Sequence, residues 1–375
     1  MTITRRSLLA GLGSLGVTPL AGAQERAHGI TTPQTFPRFD PNAPGCRVPP
    51  GLQRILVFAQ DNERQFMQGV AHGLAAASRD RGLQFRVAKA DNDPARMVSH
   101  VQEALKARVG ALVAAPIDAG MLSESLKEMI WSGAYVGTIV PPPAISLLNA
   151  PQFLTGKVLG DAAAEYIVSR LGGKARVVLL THDSNQYLAR RFAAIRQSLK
   201  RVPGVTIIAD ISPHTVSKEG GYAMMQTILL AHKQIDVVLG ADTVVLGALA
   251  ALRAAGTSRP DQFLGGIDGE LEAVAELKKG GEYKASISLA SPVFGYAMGY
   301  HAADWLEGKS IPKALDVLPV MLSTENIAAY EADMADPSRV FADLARRDTY
   351  LSMFGNICYD TRDQFVNFAW SSERQ

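Results

Sequence analysis

The sequence predicts an α/β protein with two doubly wound lobes, each built on a parallel sheet covered by helices. Short apolar runs of strand length alternate with segments of helical periodicity from residue 54 onwards, a pattern typical of βαβ units. The predicted strands are nearly continuous apolar runs, as expected where helices cover both faces of a sheet. The proline-rich segment 141–151 interrupts the alternation once, and the pattern restarts behind it. Two blocks of similar length therefore indicate two lobes.

The first block opens with a strand at 54–59 and a helix over 63–80, in which apolar residues recur at helical spacing. Asp93 before Pro94 predicts the start of a second helix, because aspartate caps helix N-termini and proline suits the first helical position. Further strands are expected at residues 84–89, 111–115 and 134–140.

The second block continues the alternation behind the proline-rich segment. Its helices are expected at 153–171, 185–200, 218–232 and 244–255, and its strands at 176–180, 205–209, 236–239 and 263–267. The chain ends less regularly, with a strand at 285–289, a helix at 293–306 and an extended segment at 311–322. Residues 325–375 carry no pattern that predicts a structure.

Composition limits the class of protein. The chain has 375 residues, of which 47% are hydrophobic and 20% charged, so it is long enough for one large or two ordinary domains and is not disordered. Its formal net charge is +2, but Arg5 and Arg6 lie in a segment that we expect to be removed. Without them 36 basic and 36 acidic residues remain, and the net charge is zero. A broad nucleic-acid-binding surface is therefore not expected.

Residues 1–23 are predicted to be an export signal. Arg5-Arg6 precede an uncharged, mostly apolar stretch, and Ala21-Gly22-Ala23 is typical of a cleavage site. The arginine pair favours the twin-arginine route to the periplasm, with an ordinary secretory signal as the alternative. A G-x-G-x-x-G match at 11–16 falls inside this signal, where no strand precedes it, so it does not indicate a dinucleotide site. Residues 24–52 are interpreted as an extended leader.

Candidate ligand-binding residues follow the predicted strands. Open α/β sheets bind ligands outside the carboxyl ends of their strands, and two facing lobes form a cleft there. The candidates at or just after strand ends are Asp61, Asn62, Phe66, Pro141, Arg191, Ala241 and Asp268. Acids at strand ends have an alternative role as helix caps, which we favour for Asp118 and Asp242. For Arg191 and Asp268 we favour ligand binding.

No sequence pattern indicates catalysis or a metal. The seven histidines show neither H-E-x-x-H nor another paired metal spacing, and no G-x-S-x-G or phosphate-binding loop occurs. His182, Asp183 and Ser184 are adjacent, but a catalytic triad is a spatial arrangement, so adjacency says little. We therefore expect a protein that is not an enzyme and that uses no cofactor and no metal.

The two cysteines, Cys46 and Cys358, lie near opposite ends of the chain and outside the predicted βα core. In an oxidising periplasm an even pair usually bridges. We predict a disulfide that ties the leader to the C-terminal tail; two unpaired thiols are the alternative.

Several segments together resemble the periplasmic sugar-binding proteins of ABC transporters, of the ribose-binding type. The resemblance covers roughly residues 53–322. It rests on the order and spacing of the opening strand with Phe66-Met67 to Gly73, ALVAAPID at 111–118, TGKVLGDAAAEYI at 155–167, ARRFAAIRQSL at 189–199, DVVLGADTVVLGALAALRAAG at 236–256 and FLGGIDG at 263–269.

The resemblance implies the periplasmic binding protein type I fold, in which three crossover segments join two Rossmann-like lobes that close on a ligand. The crossings would lie near 141–152, 289–292 and 320–325. The first lobe would then comprise 53–145 and 290–320, the second 146–289 and 321–330, and a C-terminal extension 331–375. The resemblance further implies that Phe66 stacks on a sugar ring, and that Arg191 and Asp268 hydrogen-bond its hydroxyls. Asp61 and Asn62 would provide further polar contacts.

Three positions depart from the family pattern. The family commonly has Asp-Arg where this chain has Val140-Pro141, Asn where it has Ala241, and Gln where it has Leu289. Apolar side chains thus replace polar ligand groups. A polar ligand group left unpaired in such a cleft costs about 1–3 kcal/mol, so a ribose-like pentose should fit badly. The expected ligand is less hydroxylated or partly apolar.

These observations predict a monomeric periplasmic protein that binds a sugar or related small molecule and presents it to an ABC permease in the inner membrane. No nucleic-acid partner is expected. The alternative is a sensory binding protein for a non-sugar molecule, which signals to a chemoreceptor or sensor kinase. A transcription regulator would need an N-terminal helix-turn-helix, and the export signal occupies that place.

Overall fold

The structure, a computed structural model, describes residues 27–182 and 185–374. The predicted export signal, residues 1–23, lies outside the described residues, as do Asp183 and Ser184. Within the described part of the chain, no helix is long and apolar enough to cross a membrane.

The described residues alternate between strands and helices, as the sequence predicts. The strands are β1 (Gln53–Gln60), β2 (Gln84–Lys89), β3 (Val109–Ala114), β4 (Tyr135–Ile139), β5 (Ser146–Asn149), β6 (Lys174–Leu180), β7 (Gly204–Ile211), β8 (Val237–Ala241), β9 (Phe263–Asp268), β10 (Tyr283–Ser288), β11 (Ala314–Val317), β12 (Val320–Met321) and β13 (Leu351–Phe354). The helices are α1 (Gln65–Arg81), α2 (Pro94–Lys106), α3 (Ala119–Trp131), α4 (Gln152–Arg170), α5 (Ala189–Lys200), α6 (Lys218–Ala231), α7 (Asp242–Ala254), α8 (Leu271–Lys279), α9 (Ser291–Leu306), α10 (Ile327–Ala335), α11 (Pro337–Ala342) and α12 (Leu344–Arg347).

Two sheets form the two lobes. Within residues 27–182 and 185–374, the first sheet has seven strands in the order β13-β11-β5-β4-β3-β1-β2, and the second has six in the order β12-β10-β9-β8-β6-β7. All neighbours pair in parallel except β13 on β11 and β12 on β10, which are antiparallel. Central strands such as β3 and β9 are buried along their whole length, because helices cover both faces. The predicted α/β architecture with two doubly wound lobes is confirmed.

Local signals at two helix starts also behave as predicted. The Asp93 carboxylate accepts hydrogen bonds from the backbone N–H groups of Ala95 and Arg96, and Pro94 occupies the first position of α2. Asp118 caps α3 by accepting from the N–H of Met121 at 2.9 Å. Both carboxylates satisfy backbone donors that have no partner inside the helix.

The chain crosses between the lobes from β5 to α4, from β10 to α9 and from β11 to β12, and it returns to the first lobe between β12 and β13. The predicted end of the first lobe at residue 145 is wrong, because β5 pairs in parallel with β4 and belongs to the first sheet. This strand has only four residues, all buried, and Ser146 Oγ donates to the carbonyl of Pro312 in the same lobe. The first crossing therefore begins after Asn149.

The C-terminal extension completes the first lobe. Its strand β13 pairs with β11 at the edge of the first sheet, and Trp370 stacks on Phe36 of the leader with ring centroids 5.9 Å apart. Cys46 and Cys358 form the predicted disulfide, with their Cα atoms 5.8 Å apart. The leader and the extension are thus packed together on one lobe.

Candidate functional site

A cleft of about 570 Å³ lies between the lobes, at the carboxyl ends of strands from both sheets. All eight residues singled out from the sequence line this cleft: Asp61, Asn62, Phe66, Pro141, Arg191, Ala241, Asp268 and Leu289. They come together because parallel strands of each sheet end at the same edge, and the two edges face each other.

Arg191 places a guanidinium in the cleft from α5. The side chain is buried, and its Nε donates to Oε1 of Gln152, the first residue of α4, at 2.9 Å. Burial lowers the pKa of Arg191, and the charge of Asp268 opposes this shift. Among the described residues, Gln152 is its one hydrogen-bond partner, which leaves the terminal nitrogens available to a ligand.

Asp268 ends β9 and places a carboxylate in the cleft. It is 9% exposed, and no described residue donates a hydrogen bond to its carboxylate oxygens. Burial raises its pKa to about 7; Arg191 and Arg64 oppose the shift, and Asp242 adds to it. A buried acceptor without a donor is costly, so this carboxylate is prepared for hydroxyl or amine donors from a ligand.

Asp242 lies behind Asp268 and is not the helix cap that we expected. Ala241 holds the cap position of α7, without a side-chain hydrogen bond. The fully buried carboxylate of Asp242 instead accepts from the N–H of Glu270 (2.9 Å), Tyr283 Oη (2.7 Å) and Ser286 Oγ (2.7 Å). It is turned into the second lobe, where it holds the turn that follows Asp268.

The connection between β1 and α1 carries a polar network. Arg64 forms an ion pair with Asp61, and Asn62 Nδ2 donates to Asn92 Oδ1 at 3.0 Å. Arg64 is half-buried, and its buried Nε has no hydrogen-bond partner among the described residues. Sequence reasoning missed Arg64, although it lies in the same strand-to-helix connection as two predicted residues. Asp61 and Asn62 are thus engaged with neighbours as well as facing the cleft.

Phe66 lines the cleft at the start of α1. Its ring packs against Phe294, with centroids 5.7 Å apart, and the guanidinium carbon of Arg64 lies 5.5 Å from its centroid. The residue is 7% exposed. Arg64 therefore covers part of the aromatic surface on which a sugar ring was expected to stack.

Apolar side chains also line the cleft. Among them are Pro141, Ala241 and Leu289, at the positions where the sequence departs from the sugar-binding pattern. Other apolar lining residues are Ile139, Leu148, Phe294 and Val317. The cleft thus offers buried polar groups beside a surface suited to C–H groups.

The lobes contact each other beside the cleft through the starts of α1 and α8. Glu270 Oε1 accepts from the N–H of Phe66 at 3.1 Å, and Gln65 Oε1 accepts from the N–H of Glu272 at 3.0 Å. Each helix start thereby receives an acceptor from the opposite lobe. Burial, followed by the charges of Asp242 and Asp268, raises the pKa of Glu270 to about 8. Sequence reasoning did not identify Glu270, because the residue opposite it is 204 positions away.

Two parallel-sheet lobes around a partly polar cleft define a two-lobed class of ligand-binding proteins. The sequence profile of the periplasmic binding protein domain matches residues 55–310, and the chain belongs to this family. Membership implies a periplasmic location. The fold is that of type I periplasmic binding proteins.

Individual relatives agree with this assignment. The chain is 26% identical over 271 residues to the ribose import binding protein RbsB of Bacillus subtilis. The aligned region covers 69% of this chain and 83% of that protein. A structure of a twin-arginine translocation pathway signal protein from Burkholderia phytofirmans matches with a TM-score of 0.70 at 20% identity, over 82% of this chain and 99% of that one. The Caulobacter myo-inositol binding protein, solved with myo-inositol, matches with a TM-score of 0.65 at 22% identity, over 75% of this chain and 97% of that one. These relatives are binding proteins or share their fold.

Proposed function

We propose that the chain is the solute-binding protein of an ABC importer, which binds one sugar or sugar-like molecule in the cleft and delivers it to an inner-membrane permease. The observation that carries this proposal is the pairing of Arg191 and Asp268 in the cleft, each with hydrogen-bonding atoms that no described residue uses. The family and the ribose import relative support the same function.

The chemistry of the cleft suits a ring with hydroxyl groups on one side and C–H groups on the other. The Asp268 carboxylate accepts from ligand hydroxyls, and the Arg191 guanidinium donates to ligand oxygens. Leu289 and Pro141 pack against the less polar side of the ring. A fully hydroxylated ligand leaves polar groups unpaired on that side, at about 1–3 kcal/mol each. The preferred ligand therefore carries fewer hydroxyls there than ribose does.

Isothermal titration calorimetry with pentoses, hexoses, deoxysugars and cyclitols tests the proposal. We expect at least one of them to bind with one-to-one stoichiometry, and Arg191→Ala and Asp268→Ala each to weaken it at least tenfold. Arg170→Ala and Asp261→Ala are matched controls, because both residues are exposed and lie outside the cleft lining. Equal affinity in all four variants would show that the pocket is assigned wrongly.

We also propose that the protein is a monomer exported by the twin-arginine route. Arg5-Arg6 and the small residues Ala21-Gly22-Ala23 support this route, and one similar structure is described as a twin-arginine translocation pathway signal protein. Replacing both arginines by lysine should leave the uncleaved precursor in the cytoplasm. Normal processing of that variant, seen by fractionation and N-terminal sequencing, argues for the ordinary secretory route instead.

A further inference from the structure

The turn that presents Asp268 has an unusual backbone. Asp268 has φ 129° and the next residue, Gly269, has φ 71°, so two successive residues adopt positive φ. Such a conformation is unfavourable for a residue with a side chain, and it persists only where surrounding contacts hold it. The direction of the Asp268 carboxylate therefore depends on what fixes this turn.

Three contacts fix the turn from behind the cleft. Asp242 accepts from the N–H of Glu270 at 2.9 Å, and the N–H of Leu289 donates to the carbonyl of Asp268 at 3.3 Å. The third contact comes from Tyr330, whose hydroxyl donates to the carbonyl of Gly269. A Cβ at position 269 would lie only 2.5 Å from that hydroxyl, so the close approach requires glycine.

Tyr330 belongs to α10, close to the start of the C-terminal extension. Its side chain is 3% exposed, and the adjacent Glu331 forms an ion pair with Lys278 of α8 at 2.6 Å. Further along α10, Asp333 accepts from Tyr350 Oη at 2.7 Å, which ties the helix to the remainder of the extension. The helix α10 thus contacts the turn that carries Asp268 through Tyr330.

We propose that Tyr330 is a positioning residue for the ligand site: its hydroxyl holds the Asp268–Gly269 turn so that the Asp268 carboxylate faces the ligand. This inference rests on the proposed function, in which Asp268 binds the ligand. It gives α10, which leads into the C-terminal extension, a role in recognition, and the extension supports this helix through the hydrogen bond between Tyr350 and Asp333.

Tyr350 provides a matched control for a merely structural role. It is 4% exposed, lies in the C-terminal extension next to α10 and donates its hydroxyl to a buried carboxylate, yet none of its hydrogen bonds within the described chain reaches the Asp268–Gly269 turn. Tyr330→Phe and Tyr350→Phe each remove one buried hydrogen bond and keep the ring. Only Tyr330→Phe removes a hydrogen bond to the Asp268–Gly269 turn.

Titration of the Asp268 carboxyl is a readout that needs no ligand. In protein labelled with ¹³C at the aspartate carboxyl carbon, Asp268→Asn identifies the resonance. The titratable and charged groups that face it are Arg191 of α5, Arg64 before α1, Asp242 of α7 and Glu270 before α8, and both tyrosine variants retain them. We expect the midpoint to fall in Tyr330→Phe, because a freed turn exposes the carboxylate to water, and to stay unchanged in Tyr350→Phe.

Affinity for a sugar gives the second readout, with whichever of D-ribose, 2-deoxy-D-ribose, L-fucose and myo-inositol binds the unaltered protein most tightly as the probe. We expect Tyr330→Phe to weaken it about tenfold, the value of one hydrogen bond, and Tyr350→Phe less than twofold. The inference is overturned if Tyr330→Phe changes neither readout, or if Tyr350→Phe changes both equally. If none of the four binds, or if Asp268→Asn leaves affinity unchanged, the proposed function fails, while the titration still decides whether Tyr330 positions the carboxyl.

Discussion

Removing the Cys46–Cys358 disulfide should destabilise the protein while leaving its affinity for ligand intact. The bridge joins residues 312 positions apart. Both partners lie on the first lobe, because the N–H of Cys46 donates to the carbonyl of Gly308 after α9, and Ile357 pairs with Ile311. Neither cysteine lines the cleft. Stability and binding should therefore respond separately.

The magnitude follows from the length of the closed loop. The chain-entropy relation gives about 5–6 kcal/mol for a loop of this size, and removal of native disulfides typically costs about 2–5 kcal/mol. Contacts that remain, such as the exposed ion pair of Arg47 with Asp360, contribute little. With an unfolding entropy of about 2.1 cal/mol/K per residue, a loss of about 4 kcal/mol lowers the Tm by about 5 °C.

Calorimetric unfolding of the oxidised protein, the reduced protein and the Cys46→Ala/Cys358→Ala variant measures this effect. The reduced protein is the matched control, because it keeps both side chains and loses only the covalent bond. If the Tm of the reduced protein and that of the double alanine variant both fall by less than 1 °C, the bridge does not restrict the unfolded chain and the predicted stabilisation is wrong. A parallel loss of sugar affinity would contradict the assignment of the bridge to one lobe.

Three further predictions concern the cleft and the start of α4 beside it. Because burial raises the pKa of Asp268 to about 7, the ligand-free protein holds a proton there under acidic conditions. A ligand that hydrogen-bonds the ionised carboxylate must displace this proton, so the affinity measured by calorimetry should fall about fiftyfold from pH 7 to pH 5. An affinity that does not change with pH contradicts this prediction, and so does a pH dependence that remains in Asp268→Asn. The same raised pKa makes the Asp268 contribution to stability favourable in acid and lost as the pH rises through 7, so Asp268→Asn should raise the Tm at pH 8. Glu373 accepts from the N–H groups of Phe153 (3.1 Å) and Leu154 (2.7 Å) at the start of α4, and Glu373→Ala should lose about 1–2 kcal/mol and lower the Tm by about 2 °C; an unchanged Tm argues against this cap.

The periodicity of the chain was sufficient to predict the fold, because buried parallel strands and their covering helices leave repeated local signals. The strand-end rule likewise located the cleft residues, since topology brings strand ends together. Asp118 and Asp242 show where this reasoning stops. Both follow a strand and precede a helix, yet Asp118 caps its helix and Asp242 turns inward to Tyr283 and Ser286, more than 40 residues away.

The remaining differences also arise from contacts distant in sequence. The strand β5 is too short to leave a periodic signal, and its pairing with β4 moved the lobe boundary from residue 145 to beyond Asn149. The extension is held in place by contacts such as Trp370 with Phe36 and Leu351 with Val317. No local pattern encodes such pairings, so the extension could not be predicted from its own residues.

Native mass spectrometry of the protein released from the periplasm tests most directly the claim that the cleft binds one sugar-like molecule. We expect a one-to-one complex with a small polyhydroxylated compound, which disappears in Asp268→Ala and in Arg191→Ala and persists in Asp261→Ala. A bound molecule that survives both cleft substitutions, or a bound compound without hydroxyl groups, would contradict it.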